Sequence, residues 1–415
     1  MSPEQAAQAW IDTMGPEAFA RSNSYFEGGY WLILIGWAVT VEACALLIWT
    51  RALPKLRDLV ETRLKNGFLI ACVCVFAFTI AITILTFPFD LYAGFYREHM
   101  FGLATQSLPD WLGEYAMSFA INLVITTLAV AGLYMIVKQA PNTWWIWGAG
   151  VTGFFMAVMI ALAPVFIEPL FNTYTSMAEG PLKADIVQMA QANGVPATDV
   201  FEYDESRQSN RVTANVAGLF GTTRIALADN LLTRVSPEGV RMVMAHEIGH
   251  YVLGHIVSLL VFILGVVAIV FAALGAIMKR LVGGGRWGIR AIWDPAGLPL
   301  VVAVATTLMT LATPVMNNIT RFHEHQADIY GINTSREPDG FAETALLLGE
   351  YRKMQPSALE RALFYTHPSG YDRILMAMRW KKFEMEAGRL PVSPLGPPPG
   401  YRPDYVSLPQ AAPAP

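Results

Sequence analysis

The chain alternates between long apolar runs and polar stretches with shorter periodicities. The apolar runs occupy residues 30–49, 67–87, 119–137, 144–167, 256–278 and 299–316. Each is close to or above the ~18–20 residues that a helix needs to cross a bilayer, so a transmembrane helix is predicted at every one of them. Tyr30, Trp31, Trp49, Trp144 and Trp145 mark run ends, where aromatic rings suit the headgroup layer. Glu42 in the first run and Asn122 in the third are costly in hydrocarbon. Each has two readings, a hydrogen bond between helices or a face turned to a water-filled cavity.

Between the fourth and fifth runs the pattern changes. Residues 182–191 alternate as an amphipathic helix, and 199–203, 214–219 and 224–228 read as short strands separated by turn residues. The chain therefore divides into a polar N-terminal segment (1–29), four transmembrane helices (30–167), a soluble α+β part (168–255), a transmembrane hairpin (256–318), a soluble helical part (319–390) and a tail (391–415). The tail is rich enough in proline and glycine to be expected disordered. The fold class is mainly α: a polytopic membrane protein with a small α+β soluble part.

Composition agrees, with 54% hydrophobic residues, 15% charged residues and a mean hydropathy of +0.39. A net charge of −4 without a basic stripe excludes a nucleic-acid partner. Cys44, Cys72 and Cys74 all lie in apolar runs, which indicates neither a disulfide framework nor a cysteine metal site. Residues 1–24 lack a basic region followed by an apolar core, so the first run is expected to act as its own insertion signal.

The chemistry concentrates at His246-Glu247-Ile248-Gly249-His250. Positions four apart share a helix face, so both imidazoles can reach one ion with Glu247 beside them. Ser236-Pro237 supplies a helix start, and Val240, Met244 and Ile248 recur at helical spacing. Zinc needs a third ligand and, for catalysis, an open position. Glu324 is the best candidate, since Glu324 and Asp328 again share a face and Asp328 can orient a ligand histidine. Spacing alone does not exclude His323 or His325. His255, five residues beyond His250, is expected to turn away from the ligand face. The ligand segments are separated by two membrane crossings, so they meet only if 256–278 and 299–316 form a hairpin.

A zinc ion held there would activate water near neutral pH, with Glu247 as proton carrier and peptide hydrolysis as the default chemistry. His367 or Arg373, from His367-Pro368-Ser369-Gly370-Tyr371-Asp372-Arg373, is the candidate oxyanion donor. An extended peptide is usually held by an exposed strand edge, and Asn215, Val216, Ala217 and Gly218 are the candidates for it. A different class of reading, a transporter or channel built around Glu42, treats the histidine motif as incidental.

Taken in order, these motifs and several others resemble the CAAX prenyl protease type 1 family. Tyr96-Arg97-Glu98-His99-Met100-Phe101-Gly102-Leu103 with Thr105 is similar to the family's loop after an early span. Ile167-Glu168-Pro169-Leu170-Phe171-Asn172 matches its I-x-P-L-F-[ND] element. Asn215-Val216-Ala217-Gly218 and Arg224-Ile225-Ala226-Leu227-Ala228-Asp229 match its strands, and the His367 to Arg373 spacing also coincides. The resemblance implies a ring of membrane helices around a water-filled chamber, with one zinc ion at its mouth. It also implies peptide or protein substrates, prenylated CAAX proteins or membrane proteins in quality control; in the lipid bilayer the chain is expected as a monomer. A stress protease of the HtpX type shares the ligands but has fewer spans. Two departures stand out: the extra N-terminal span of eukaryotic members has no counterpart in residues 1–24, and Val216 stands where the family favours Ala.

Arg51, Lys55, Arg57, Arg63 and Lys65 follow the first run, and Lys279, Arg280, Arg286 and Arg290 fill the hairpin loop. The positive-inside rule places both loops in the cytoplasm and the zinc part on the periplasmic face of a bacterial inner membrane. Analogy with eukaryotic members gives a cytosolic active site instead.

Overall fold

The computed structural model describes residues 1–217, 223–282 and 285–406. In chain order its helices begin with α1 (Pro3–Asp12), α2 (Gly15–Thr50), α3 (Ala52–Glu61), α4 (Gly67–Leu91), α5 (Arg97–Met100), α6 (Leu108–Gln139) and α7 (Trp144–Phe166). A small sheet and two helices follow: β1 (Tyr174–Ser176), α8 (Pro181–Ala192), β2 (Val200–Tyr203), β3 (Ala214–Ala217), β4 (Arg224–Ala228) and α9 (Asp229–Arg234). The last helices are α10 (Pro237–Val252), α11 (His255–Leu281), α12 (Leu298–Ser335), α13 (Pro338–Leu348), α14 (Ala358–Phe364) and α15 (Gly370–Glu386).

Six helices are long and apolar enough to cross a membrane, one for each run. They pack side by side in the order α2, α4, α6, α7, α11, α12, and α12 returns to α2, closing a ring. Trp37 on α2 seals that closure by donating to the Thr307 hydroxyl on α12 at 2.9 Å. The helices outlast the apolar runs. At 1.5 Å per residue, α2 and α12 exceed the ~30 Å hydrocarbon thickness, so their polar ends rise into a soluble cap. Hydropathy sees only the middle of such a helix.

On α12, Thr306, Thr313 and Glu324 lie whole helical turns apart, on one face. Below Glu324 that face, with Met309 and Met316, lines a cavity of 480 Å³. The opposite face carries exposed Leu311, Val315 and Phe322, as a lipid contact requires. Glu42 is exposed on the side of α2 that carries exposed Trp31, Ile35, Leu46 and Trp49. It has no hydrogen bond or ion pair among the described residues, and it does not line the ring's inner seam, so it fits neither of its two readings. Asn122 accepts a bond from Thr126 of its own helix at 3.0 Å, so it needs no second helix.

The loops at one end of the ring are tied together. Arg57 pairs with Asp294, and Arg290 reaches Asp58 at 2.7 Å and Glu61 at 2.8 Å. The basic clusters after the first run and in the hairpin loop thus share one rim, opposite the cap.

The cap is built on a four-stranded sheet ordered β1-β2-β4-β3. β2 and β4 run parallel, and β1 and β3 pair antiparallel on the outside. β1 was not expected, being too short to show periodicity. Val200, Ile225 and Leu227 pack with Ile186 of α8 and Met244 and Ile248 of α10. The family-like loop after α5 docks here: the Asn210 N–H donates to the Leu103 carbonyl at 2.9 Å, and Arg211 reaches Glu98 at 2.6 Å.

Two expectations about the termini are corrected. The N-terminal segment is not merely polar, for Ala6, Ala7, Trp10 and Ile11 form the buried face of α1, against Phe341, Leu346 and Ile374. Residues 391–406, expected to be disordered, lie on the cap without regular secondary structure. Tyr401 meets the Trp10 ring edge-on at 5.0 Å, and the Tyr405 hydroxyl donates to the Leu346 carbonyl at 2.7 Å. Composition predicted no packing because it averages over the tail, whereas a few aromatic anchors hold it. Residues 407–415 lie outside the described residues.

Candidate metal centre

Helix α10 starts where the Ser236 hydroxyl accepts from the Gly239 N–H at 3.1 Å, with Pro237 in the first turn. Val240, Met244 and Ile248 sink into the cap core, leaving His246 and His250 turned toward α12. The two helices approach closely at Gly331. A Cβ there would stand 2.7 Å from the Met242 methyl and 3.1 Å from the His246 backbone nitrogen.

This approach brings Glu324 across to the histidines. The two Nε2 atoms of His246 and His250 are 3.1 Å apart, and they lie 3.2 and 3.5 Å from the Glu324 carboxylate oxygens. Two imidazole nitrogens at that distance can share one proton or flank one cation. Tetrahedral zinc with bonds of ~2.0–2.1 Å sets its donors about 3.3 Å apart, so this set of two imidazoles and a carboxylate fits zinc in chemistry and in size.

Asp328, fully buried, stands 2.9 Å from Nδ1 of His246, which leaves Nε2 for the ion. Burial pulls the His246 pKa down, but Asp328 and Glu324 prevail and lift it. Burial also raises Glu247 above the usual 4.5, against the pull of His246 and His250. Glu247 shares a 180 Å³ cavity with His246, Glu324, His367 and Arg373.

Nε2 of His367 lies 3.2 Å from Glu324, and burial and the Arg352 guanidinium keep its imidazole neutral, well below 6.5. Arg373, expected as a possible oxyanion donor, is committed elsewhere: its Nε donates to Asp328 at 2.8 Å and its Nη2 to Glu324 at 3.4 Å. His323 faces Ser258 at 3.0 Å and His325 is exposed, so neither joins the ligand set.

His255 is the residue that spacing misplaced. Gly254 adopts a left-handed φ of 67°, α10 ends there, and α11 begins at His255. The break turns the His255 ring back, with Nδ1 2.9 Å from Nδ1 of His250 and Nε2 3.3 Å from Oε1 of the Gln326 side chain. It thus orients His250 as Asp328 orients His246. The Gly at 254 was the available signal.

At the mouth of the cavity lies β3, with one edge unpaired among the described residues. The Ala228 N–H donates to the Thr213 carbonyl, so the alternation of an antiparallel ladder turns the backbone groups of Ala214 and Val216 to the open side. The side-chain oxygen of Asn215 is shut from solvent without a partner among the described residues. Gly218 lies outside the described residues.

Two family models match in succession. Residues 2–173 match the CAAX prenyl protease N-terminal part, five membrane helices, and residues 176–381 match peptidase family M48. The chain belongs to peptidase family M48. It is an integral-membrane metalloendopeptidase, which removes the transporter reading. Among similar proteins, an uncharacterized metalloprotease of Bacillus subtilis is 27% identical over 87% of this chain and 85% of its own length. CAAX prenyl protease 1 of Saccharomyces cerevisiae is 27% identical over 70% of this chain and 68% of its own. The crystal structure of S. mikatae Ste24p superposes with a TM-score of 0.72 at 21% identity, covering 90% of this M48 peptidase and 94% of that chain. The fold is therefore shared with S. mikatae Ste24p.

Proposed function

We propose that the protein is a zinc-dependent endopeptidase in which His246, His250 and Glu324 hold the ion. The observation that carries this is the triangle of donor atoms, closed by two helices that the chain separates with a membrane hairpin. Zinc, when bound, supplies the Lewis acid that polarises water and the scissile carbonyl. Glu247, whose buried carboxyl has a raised pKa, takes the proton of the attacking water and returns it to the leaving amine. His367, neutral and with an N–H to give, faces the developing oxyanion. Arg373 positions Glu324 and Asp328 rather than touching substrate. The free edge of β3 pairs with the extended peptide through Ala214 and Val216, and the Asn215 amide provides a further anchor.

Substrates are peptides or proteins, and the similarity to CAAX prenyl protease 1 extends the proposal to prenylated C-terminal segments. The match of residues 2–173 to that family's membrane part supports this over the HtpX type. Every group named belongs to one chain, so a monomer suffices. With the basic rim opposite the cap, the positive-inside rule puts the cleft on the periplasmic side of a bacterial inner membrane. Labelling of Arg286→Cys from outside the cell would reverse that orientation.

The test of the chemistry is Glu247→Gln. Zinc content is expected to survive while kcat/KM falls by about 10²–10⁴-fold. Activity that persists in this variant and resists a chelator contradicts the reading.

A further inference from the structure

Among the described residues, the cleft contains one arginine that pairs with no carboxylate. Arg352 sits in the loop between α13 and α14 where three cavities meet: the metal cleft, a small space behind His367, and a 500 Å³ cavity leading to α2. Its Nη1 is closed off from solvent and has no hydrogen-bond partner among the described residues. The fully buried arginines are each given a carboxylate: Arg57 has Asp294, Arg97 has Glu98 and Arg373 has Asp328. Among the described residues half-buried Arg352 has none within ion-pair distance; Glu324 and Asp328 act on it only from further off, and the Arg373 guanidinium repels it.

The loop is held, not loose. The Ser22 hydroxyl donates to the Arg352 carbonyl at 3.1 Å, and the Tyr365 hydroxyl donates to the carbonyl of the next residue at 2.7 Å. Two separate elements therefore fix the backbone that presents this side chain. A guanidinium nitrogen kept from water without a partner is destabilising, and that cost is recovered when an anion arrives.

We propose that Arg352 is the receptor for a carboxylate of the bound peptide. This rests on the peptidase reading of the cleft. A planar guanidinium offers paired N–H donors that match a carboxylate, and the anions a polypeptide carries at neutral pH are carboxylates. Arg352 also lines the cleft together with Val212, Thr213 and Ala214, the approach to the β3 edge, so a peptide laid on that edge passes it. The carboxylate has two sources, the chain end or an acidic side chain, and both are bound by the same chemistry.

The experiment uses the full-length zinc-loaded protein carrying Glu247→Gln, so that bound peptides stay intact. Fluorescently labelled peptides are compared in three forms: free C-terminal acid, C-terminal amide, and the acid form with its Asp and Glu replaced by Asn and Gln. We expect at least a tenfold loss of affinity in whichever form removes the recognised carboxylate, which identifies its source. Adding Arg352→Met closes that gap, while Arg352→Lys restores part of it, with zinc content equal in all three proteins. Equal affinities for all peptides, or a gap that survives Arg352→Met, overturns the proposal. If the gap is present but wild-type protein hydrolyses none of the peptides, the peptidase reading fails and the carboxylate receptor stands.

Discussion

Helices α10 and α11 are consecutive in the chain and have opposite relations to their surroundings. The most apolar window of α11 buries only 6% of its residues within the protein, whereas Val240, Met244 and Ile248 of α10 are almost completely enclosed. In the ring, lipid and cavity cover most side chains, and neighbouring helices touch along thin seams. In the cap, polar groups have only each other, and Asp328, Arg373, Glu324 and His246 form one connected set. A change in the cap network therefore spreads through its partners, while a change on the outer face of the ring stays local.

The comparison is most sharply broken or upheld at the orienting groups. Asp328→Ala and His255→Ala each leave the three zinc donors in place but remove the partner of one ligand imidazole. Each is expected to weaken zinc by about 10–100-fold, read by competition with a chromogenic chelator. An unchanged affinity in His255→Ala would mean that the contact across Gly254 has no part in holding His250.

A smaller, structural effect is expected at Trp10, buried to 2% exposure beneath Tyr401. Trp10→Ala should cost the cap about 3–5 kcal/mol and free residues 391–406 for protease cleavage, visible as a lower melting temperature and a shortened chain. Cleavage no faster than in wild type would contradict the docking of the tail. On the outer face of the ring, Leu311→Ala should change stability by no more than about 0.5 kcal/mol and leave hydrolysis as it was.

How much of this was readable in the sequence follows from the range of the interactions. The six spans were legible because a bilayer demands long apolar runs, and His246, Glu247 and His250 because one helix fixes their spacing. Glu324 was legible only as half of a Glu-x-x-x-Asp pair, since what joins it to the histidines is the close approach at Gly331. His255 was misplaced because a single left-handed glycine reversed the direction that helical spacing implied. Arg352 had no local mark: its isolation is a fact about which carboxylates the fold sends elsewhere. The packing of α1 lay in plain view, as Ala6, Ala7, Trp10 and Ile11 recur at helical spacing, but in a short polar context.

The central claim is that α10 and α12 jointly hold one ion. Metal content per chain, measured by inductively coupled plasma mass spectrometry on purified wild type and on Glu324→Ala, tests it most directly. The account predicts about one zinc per wild-type chain and little retained by Glu324→Ala after dialysis, with Glu247→Gln matching wild type. Full zinc occupancy in Glu324→Ala would contradict it.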